Sequence, residues 1–311
     1  MEASATQLNP NSRNDLVIDV DQDRVAILEH GGVSDTDGVN RKPSKSFCQE
    51  MHKVLADCVL TTDEQKVDYM NNYNCNPPPL FILIVSVAEL FVFIYYGIKA
   101  QYKQWITIDA GLTKSPLIYD PWQREEVWRF VSYMFLHAGI EHIMGNVILQ
   151  LCVGVMLEMV HKSFRVALVY ISGVLAGSLA SSIFDPYVFV VGASGGVYAL
   201  IGGYLSNIIL HWESIPYNGI HLIFIAGFVV TDLGFSVYRR LVPVEYYTPV
   251  SLTAHVGGIL AGITIGYVVF SNYKNNLFHE PMFWICILSF LGCIGFAVFW
   301  NVFLSPVGTL F

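Results

Sequence analysis

The sequence predicts an all-α polytopic membrane protein with a long interfacial first loop. Three observations predict it. Hydrophobic residues make up 54% of the chain and charged residues only 14%, against about 25% charged in a typical soluble domain. The mean hydropathy is +0.49. From residue 80 onward, seven apolar segments follow one another, each about long enough to cross a bilayer.

The elements come in order. Residues 1–76 carry 13 acidic and 7 basic side chains, most of the net charge of -8, and show no sustained periodicity. This composition reads as a largely disordered acidic tail. It excludes a basic nucleic-acid-binding arm and speaks against an Arg-rich transit peptide. No apolar signal core opens the chain, so the first membrane segment is expected to target it. Asp19-Val20-Asp21-Gln22-Asp23 has the opening spacing of a calcium loop. Arg24 stands where such a loop needs Gly and His30 where it needs Glu, which weighs against a calcium site. Residues 50–72 can form a short amphipathic helix.

Pro77-Pro78-Pro79 ends the tail. The expected membrane spans are 80–98, 141–160, 166–183, 190–211, 220–238, 251–271 and 282–304, within a membrane domain 77–304 that leaves a short C-terminal tail 305–311. Pro186, Pro216, Pro249 and Pro281 fall in the expected loops. The first loop, 99–140, mixes Trp105, Tyr119, Trp122 and Trp128 with Lys and Arg, as a segment lying among lipid headgroups should. Basic residues in that loop bias a simple positive-inside count. Without it the count is four to two for a cytosolic N-terminus. Cys48, Cys58, Cys75, Cys152, Cys286 and Cys293 form neither CxxC nor Cys/His pairs, so neither a disulfide framework nor a metal is implied.

The chemistry sits in three of the apolar segments. The fourth opens with Gly192-Ala193-Ser194-Gly195-Gly196, the sixth carries Ala254-His255xxGly258, and the second carries His142xxxAsn146. Each polar group is costly in hydrocarbon unless it meets another or water. On a helix, Ser194, Tyr198 and Gly202 share one face, beside a stripe of Gly195, Ala199 and Gly203. Ala254, Gly258, Gly262 and Gly266 form a matching stripe, and such stripes let membrane helices approach closely. Packed together, the two helices bring His255 to Ser194, where an imidazole can take the hydroxyl proton. His142 and Asn146 point the same way and can hold an oxyanion together with the Ser194 backbone N–H. No acidic residue is an evident orienter for His255, so a Ser–His dyad is expected. Taken singly, each feature reads as packing or helix glue; their conjunction on three helices points to hydrolysis. Glu89, Glu158 and Asp232 read as pairing or boundary residues, His137 as a supporting one, and Arg239-Arg240 as an interface anchor.

On these residues, together with Trp128-Arg129 in the first loop, the sequence resembles the rhomboid intramembrane serine proteases over roughly residues 77–304. The resemblance implies a six-helix core plus one C-terminal transmembrane helix. It implies Ser194 as nucleophile, His255 as base, His142 and Asn146 at the oxyanion with Gly192 in support, and Tyr198 packed on the histidine. The arrangement resembles secretory-pathway eukaryotic members of the insect and nematode type, which release growth-factor ligands of the EGF type from single-pass precursors. Many relatives have Arg two residues after the glutamate matching Glu158; this chain has Val160. Inactive relatives lose Ser or His or put Pro before the serine, and neither holds for this chain. No cofactor is implied. The competing readings are a non-catalytic adaptor that binds client membrane helices, and a seven-helix receptor or transporter. The long interfacial loop, the polar residues clustered on the second, fourth and sixth helices, and the lack of a two-half repeat disfavour the latter.

Overall fold

Apolar runs broken by Pro, Gly and charge fold into seven long helices among the described residues. They are α1 (Phe81–Lys99), α2 (Ile140–His161), α3 (Ser163–Phe184), α4 (Ser194–Leu210), α5 (Asn218–Leu241), α6 (Leu252–Phe270) and α7 (Pro281–Leu304). The computed structural model describes residues 50, 53, 67, 78–99, 110–210, 212–213, 217–241, 251–271 and 279–307, with side chains of α5 omitted at 235–236 and 238–240. The acidic tail's calcium-loop spacing, the helix expected at 50–72, Trp105, Pro216, Pro249 and the side chains of Arg239-Arg240 lie outside that description.

Five of the helices (α1, α2, α3, α6 and α7) are long and apolar enough to cross a membrane; α4 and the Asn218–Gly234 stretch of α5 are shorter apolar helices. The α3 helix starts three residues before its expected span and α5 ends three residues after its own, and two further boundaries differ for a visible reason. The fourth helix starts at Ser194 rather than 190, because Val190 instead forms an antiparallel bridge with Tyr119 of the first loop. Pro281 opens α7 rather than lying in a loop. At the first helical position proline's missing N–H costs nothing and its φ is already helical.

Small residues decide how closely the helices pack. Gly258 of α6 faces the Gly195 carbonyl of α4, Gly262 faces Ala199, and Gly266 faces Gly203. The constant register makes α4 and α6 a parallel pair in backbone contact, as the two stripes require. The α3 helix completes a three-helix centre: Gly173 lies against Ala199 and Gly177 against the Ala254 carbonyl. Gly173, Gly177 and Ser181 recur every four residues along α3, a third stripe of the same kind.

Buried polar groups tie the outer helices to that centre. Glu89 of α1 is fully buried and accepts hydrogen bonds from Gln150 Nε2 of α2 (2.8 Å) and the Tyr170 hydroxyl of α3 (3.0 Å). Gln150 also donates to Ser86 Oγ (2.7 Å). A wide turn over Gln150–Gly154 lies at this junction. Glu158 accepts from the backbone N–H groups of Phe81 (2.7 Å) and Ile82 (3.0 Å), capping the N-terminus of α1. Replacing Glu89 by leucine should strand Gln150 and Tyr170 without acceptors and lower stability by roughly 1–3 kcal/mol. Thermal denaturation in detergent measures this, with Glu89→Gln expected to lose less.

The described part of the first loop, 110–139, is folded rather than merely adsorbed. Arg129 is buried and donates to Glu126 Oε2 (2.6 Å), the carbonyls of Ser115 (2.9 Å) and Ile118 (3.0 Å), and Gln123 Oε1 (2.6 Å). Trp128 Nε1 donates to the Pro116 carbonyl while its ring stays exposed. Arg124, also buried, donates to the Asn301 carbonyl of α7 (3.0 Å), and Asn301 Nδ2 donates to Ser182 Oγ of α3 (2.7 Å). Two of the cations that bias the charge count are therefore packing residues.

Candidate active site

The turn before α4 is fixed from the first loop. The Tyr119–Val190 bridge pins its start, with both N–H···O bonds at 3.2 Å, and Arg129 holds the neighbouring Ile118 carbonyl. Gly192 N–H then donates to the Tyr133 carbonyl (3.1 Å). Ala193 N–H donates to Nε2 of His137 (3.3 Å), which is fully buried. Burial and the neighbouring His142 ring hold the His137 imidazole well below its usual range, so it stays neutral and can accept. His137 thus supports the loop that delivers Ser194.

Gly192 has φ +106°, and a Cβ there would come within 2.6 Å of His142 Nε2. Only glycine meets both demands, the left-handed backbone and the imidazole lying directly over it. His142 projects from the first turn of α2 and Asn146 from one turn later. One Asn146 amide N–H donates to the His142 carbonyl (2.8 Å), and the second remains as a donor. Ser194 begins α4, so the first-turn N–H groups lack helical acceptors and favour negative charge beside the hydroxyl.

His255 projects from the first turn of α6, where Ser251 Oγ caps the helix by accepting from Ala254 N–H (3.3 Å). Its ring is buried and stacks on Tyr198, with centroids 4.4 Å apart and planes 14° from parallel. The helix register puts Gly195 opposite Gly258, so Ser194 and His255 sit at the same end of the α4–α6 pair. Among the described residues, neither side chain makes a hydrogen bond. Such contacts commonly tighten only when substrate binds.

One acidic side chain does reach the histidine, contrary to expectation. Asp232 of α5 accepts from the Tyr198 hydroxyl at 2.6 Å through Oδ2, and the same oxygen lies 3.5 Å from His255 Nδ1. The signal in the sequence was a lone carboxylate in an apolar helix, which is costly unless it is paired. The partner could not be read, because nothing local fixes how α5 is rotated.

The rhomboid domain model matches residues 124–272, spanning the second half of the first loop through α6. The chain is 52% identical to rhomboid-related protein 2 of Mus musculus over 260 residues, covering 83% of this chain and 86% of that protein. It is 38% identical to rhomboid-related protein 3 of Homo sapiens over 286 residues, 90% of this chain and 70% of that protein. A more distant match, 31% identical over 223 residues (70% of this chain and 62% of that protein), is inactive rhomboid-related protein 2 of Caenorhabditis elegans. With this similarity carried across the membrane helices and the loop that seats the serine, the chain belongs to the rhomboid family of integral membrane proteins.

Proposed function

We propose that the protein is an intramembrane serine endopeptidase acting on single-pass transmembrane proteins. The observation that carries the reading is the buried His255 ring, stacked on Tyr198 at the end of α4 where Ser194 opens the helix. Ser194 Oγ attacks a substrate carbonyl and passes its proton to His255. The tetrahedral oxyanion is held by the Ser194 N–H, His142 and Asn146. His255 then gives the proton to the leaving amine, and the peptide bond breaks to leave an acyl-enzyme. Water, activated by the same imidazole, hydrolyses the ester and restores Ser194. Tyr198 steadies the imidazole, and Gly192 lets the His142 ring approach. Water must reach this site through a polar cavity of the bundle, since hydrocarbon excludes it.

Residues 77–304 are the proposed membrane domain, preceded by a cytosolic acidic tail 1–76 and followed by a short tail 305–311. The burial of Arg124 and Arg129 supports leaving the first loop out of the charge count, which favours the cytosolic N-terminus. The proposed residence is the secretory pathway, in Golgi, endosome or plasma membrane, and the proposed substrates are precursors of EGF-like ligands. Intact Ser194 and His255 favour proteolysis over a client-binding adaptor, the reading that the name of the nematode relative raises.

The test is co-expression with a tagged EGF-like precursor, together with fluorophosphonate labelling of membranes. Release of a soluble ectodomain, with the probe on the peptide containing Ser194, is the expected result. A folded protein that takes no probe and releases nothing is an adaptor.

A further inference from the structure

We propose that Asp232 positions His255 for catalysis, making the site a carboxylate-supported pair rather than an isolated dyad. The inference rests on the protease reading above. Its geometry has three parts. Oδ2 of Asp232 stands 3.5 Å from His255 Nδ1. That nitrogen is buried and has no hydrogen-bond partner. The same Oδ2 already accepts the Tyr198 hydroxyl at 2.6 Å, and Tyr198 is the ring on which the imidazole stacks. One carboxylate oxygen therefore faces both residues that fix the base: it anchors the stacking partner and lies just outside bonding distance of the imidazole.

A small movement closes the remaining gap. With a proton on Nδ1 donated to Asp232, Nε2 is left with its lone pair to take the Ser194 proton. The carboxylate then faces the imidazolium that this transfer creates, and the charge pair is worth more away from bulk water. Asp232 is 37% exposed at its side chain, so it stays hydrated until that point. It touches neither substrate nor the reacting atoms and acts through His255.

The helix that carries it is lightly held. On one face of α5, His221, Ile225, Phe228 and Asp232, together with Val229, turn toward the rest of the bundle. His221 bonds the Tyr204 hydroxyl, and the apolar residues pack in one cluster with Leu149, Ala193, Val197, Ile201 and Ile259. The opposite face, with Ile220, Ile223, Phe224 and Val230, is exposed. The carboxylate is thus available to His255 only while α5 is seated on the site.

The test uses the full-length protein in proteoliposomes with a fluorogenic transmembrane substrate. Asp232→Asn and Asp232→Ser are compared with wild type, Asp232→Glu and Ser194→Ala, each checked by thermal denaturation. The expected result is a loss of about tenfold or more in kcat with KM unchanged for both Asn and Ser. The rate of fluorophosphonate labelling should fall in parallel, and Asp232→Glu should recover part of it. If folded Asn or Ser variants keep wild-type kcat, or change KM alone, Asp232 is only a tether for α5 and the proposal is overturned. Failure of wild type itself to label or cleave strikes instead at the protease reading.

Discussion

Replacing Ser194 with alanine is expected to bring ectodomain release and probe labelling to background. The expected loss is at least about 10⁴-fold in kcat, since removal of a serine nucleophile leaves only positioning and oxyanion binding to act on the bond. The fold should survive, because alanine keeps the Cβ and the helix it opens. His255→Ala should cost a similar factor. The double variant should be little worse than either alone, since two groups that act in one proton transfer are not additive. Matching melting temperatures with parallel loss of cleavage would establish a chemical role. Wild-type cleavage by folded Ser194→Ala would remove the nucleophile assignment.

The largest structural effect is expected from Gly258→Val. A Cβ at Gly258 would collide with the backbone of Gly195 in α4, which is main chain and cannot swing aside. Valine adds two further methyl groups. The α4–α6 pair must then part along the register that also holds Gly262 against Ala199 and Gly266 against Gly203. Overpacking a rigid core costs about 1–3 kcal/mol where side chains can adjust, and here backbone lies on both sides. Separation would also withdraw His255, three residues earlier on α6, from Tyr198. Loss of the folded monodisperse protein on size-exclusion chromatography, with loss of probe labelling, is the expected outcome. Gly292→Val is the control, because no atom lies within 4 Å of a Cβ at Gly292 and the substitution should be tolerated.

The stacking of Tyr198 on His255 illustrates how far the sequence could be read. Spacing put Ser194 and Tyr198 on one face of α4 and His255 within the small-residue arc of α6. Glycine stripes said that these faces could touch, and the structure makes that contact in register. The start of α4 was less legible. Val190 and Val191 continue the apolar run, so hydropathy alone extends the helix backward to 190. What ends it is a backbone bridge to Tyr119, a residue in a loop whose fold no local pattern describes.

What the sequence by itself determined was the membrane class, the set of apolar segments and the identities of the candidate catalytic groups. Each follows from composition and from spacing along one helix, both of which are local properties. Only the tertiary structure decided which helices the small-residue face of α3 meets, that Arg129 and His137 build the turn before Ser194, and that Asp232 comes within 3.5 Å of His255. A helix apolar on nearly every side carries little record of which face its neighbours meet. In a bilayer, solvent exclusion does not choose that face either. Close packing and the pairing of scarce polar groups choose it, and both require the whole bundle.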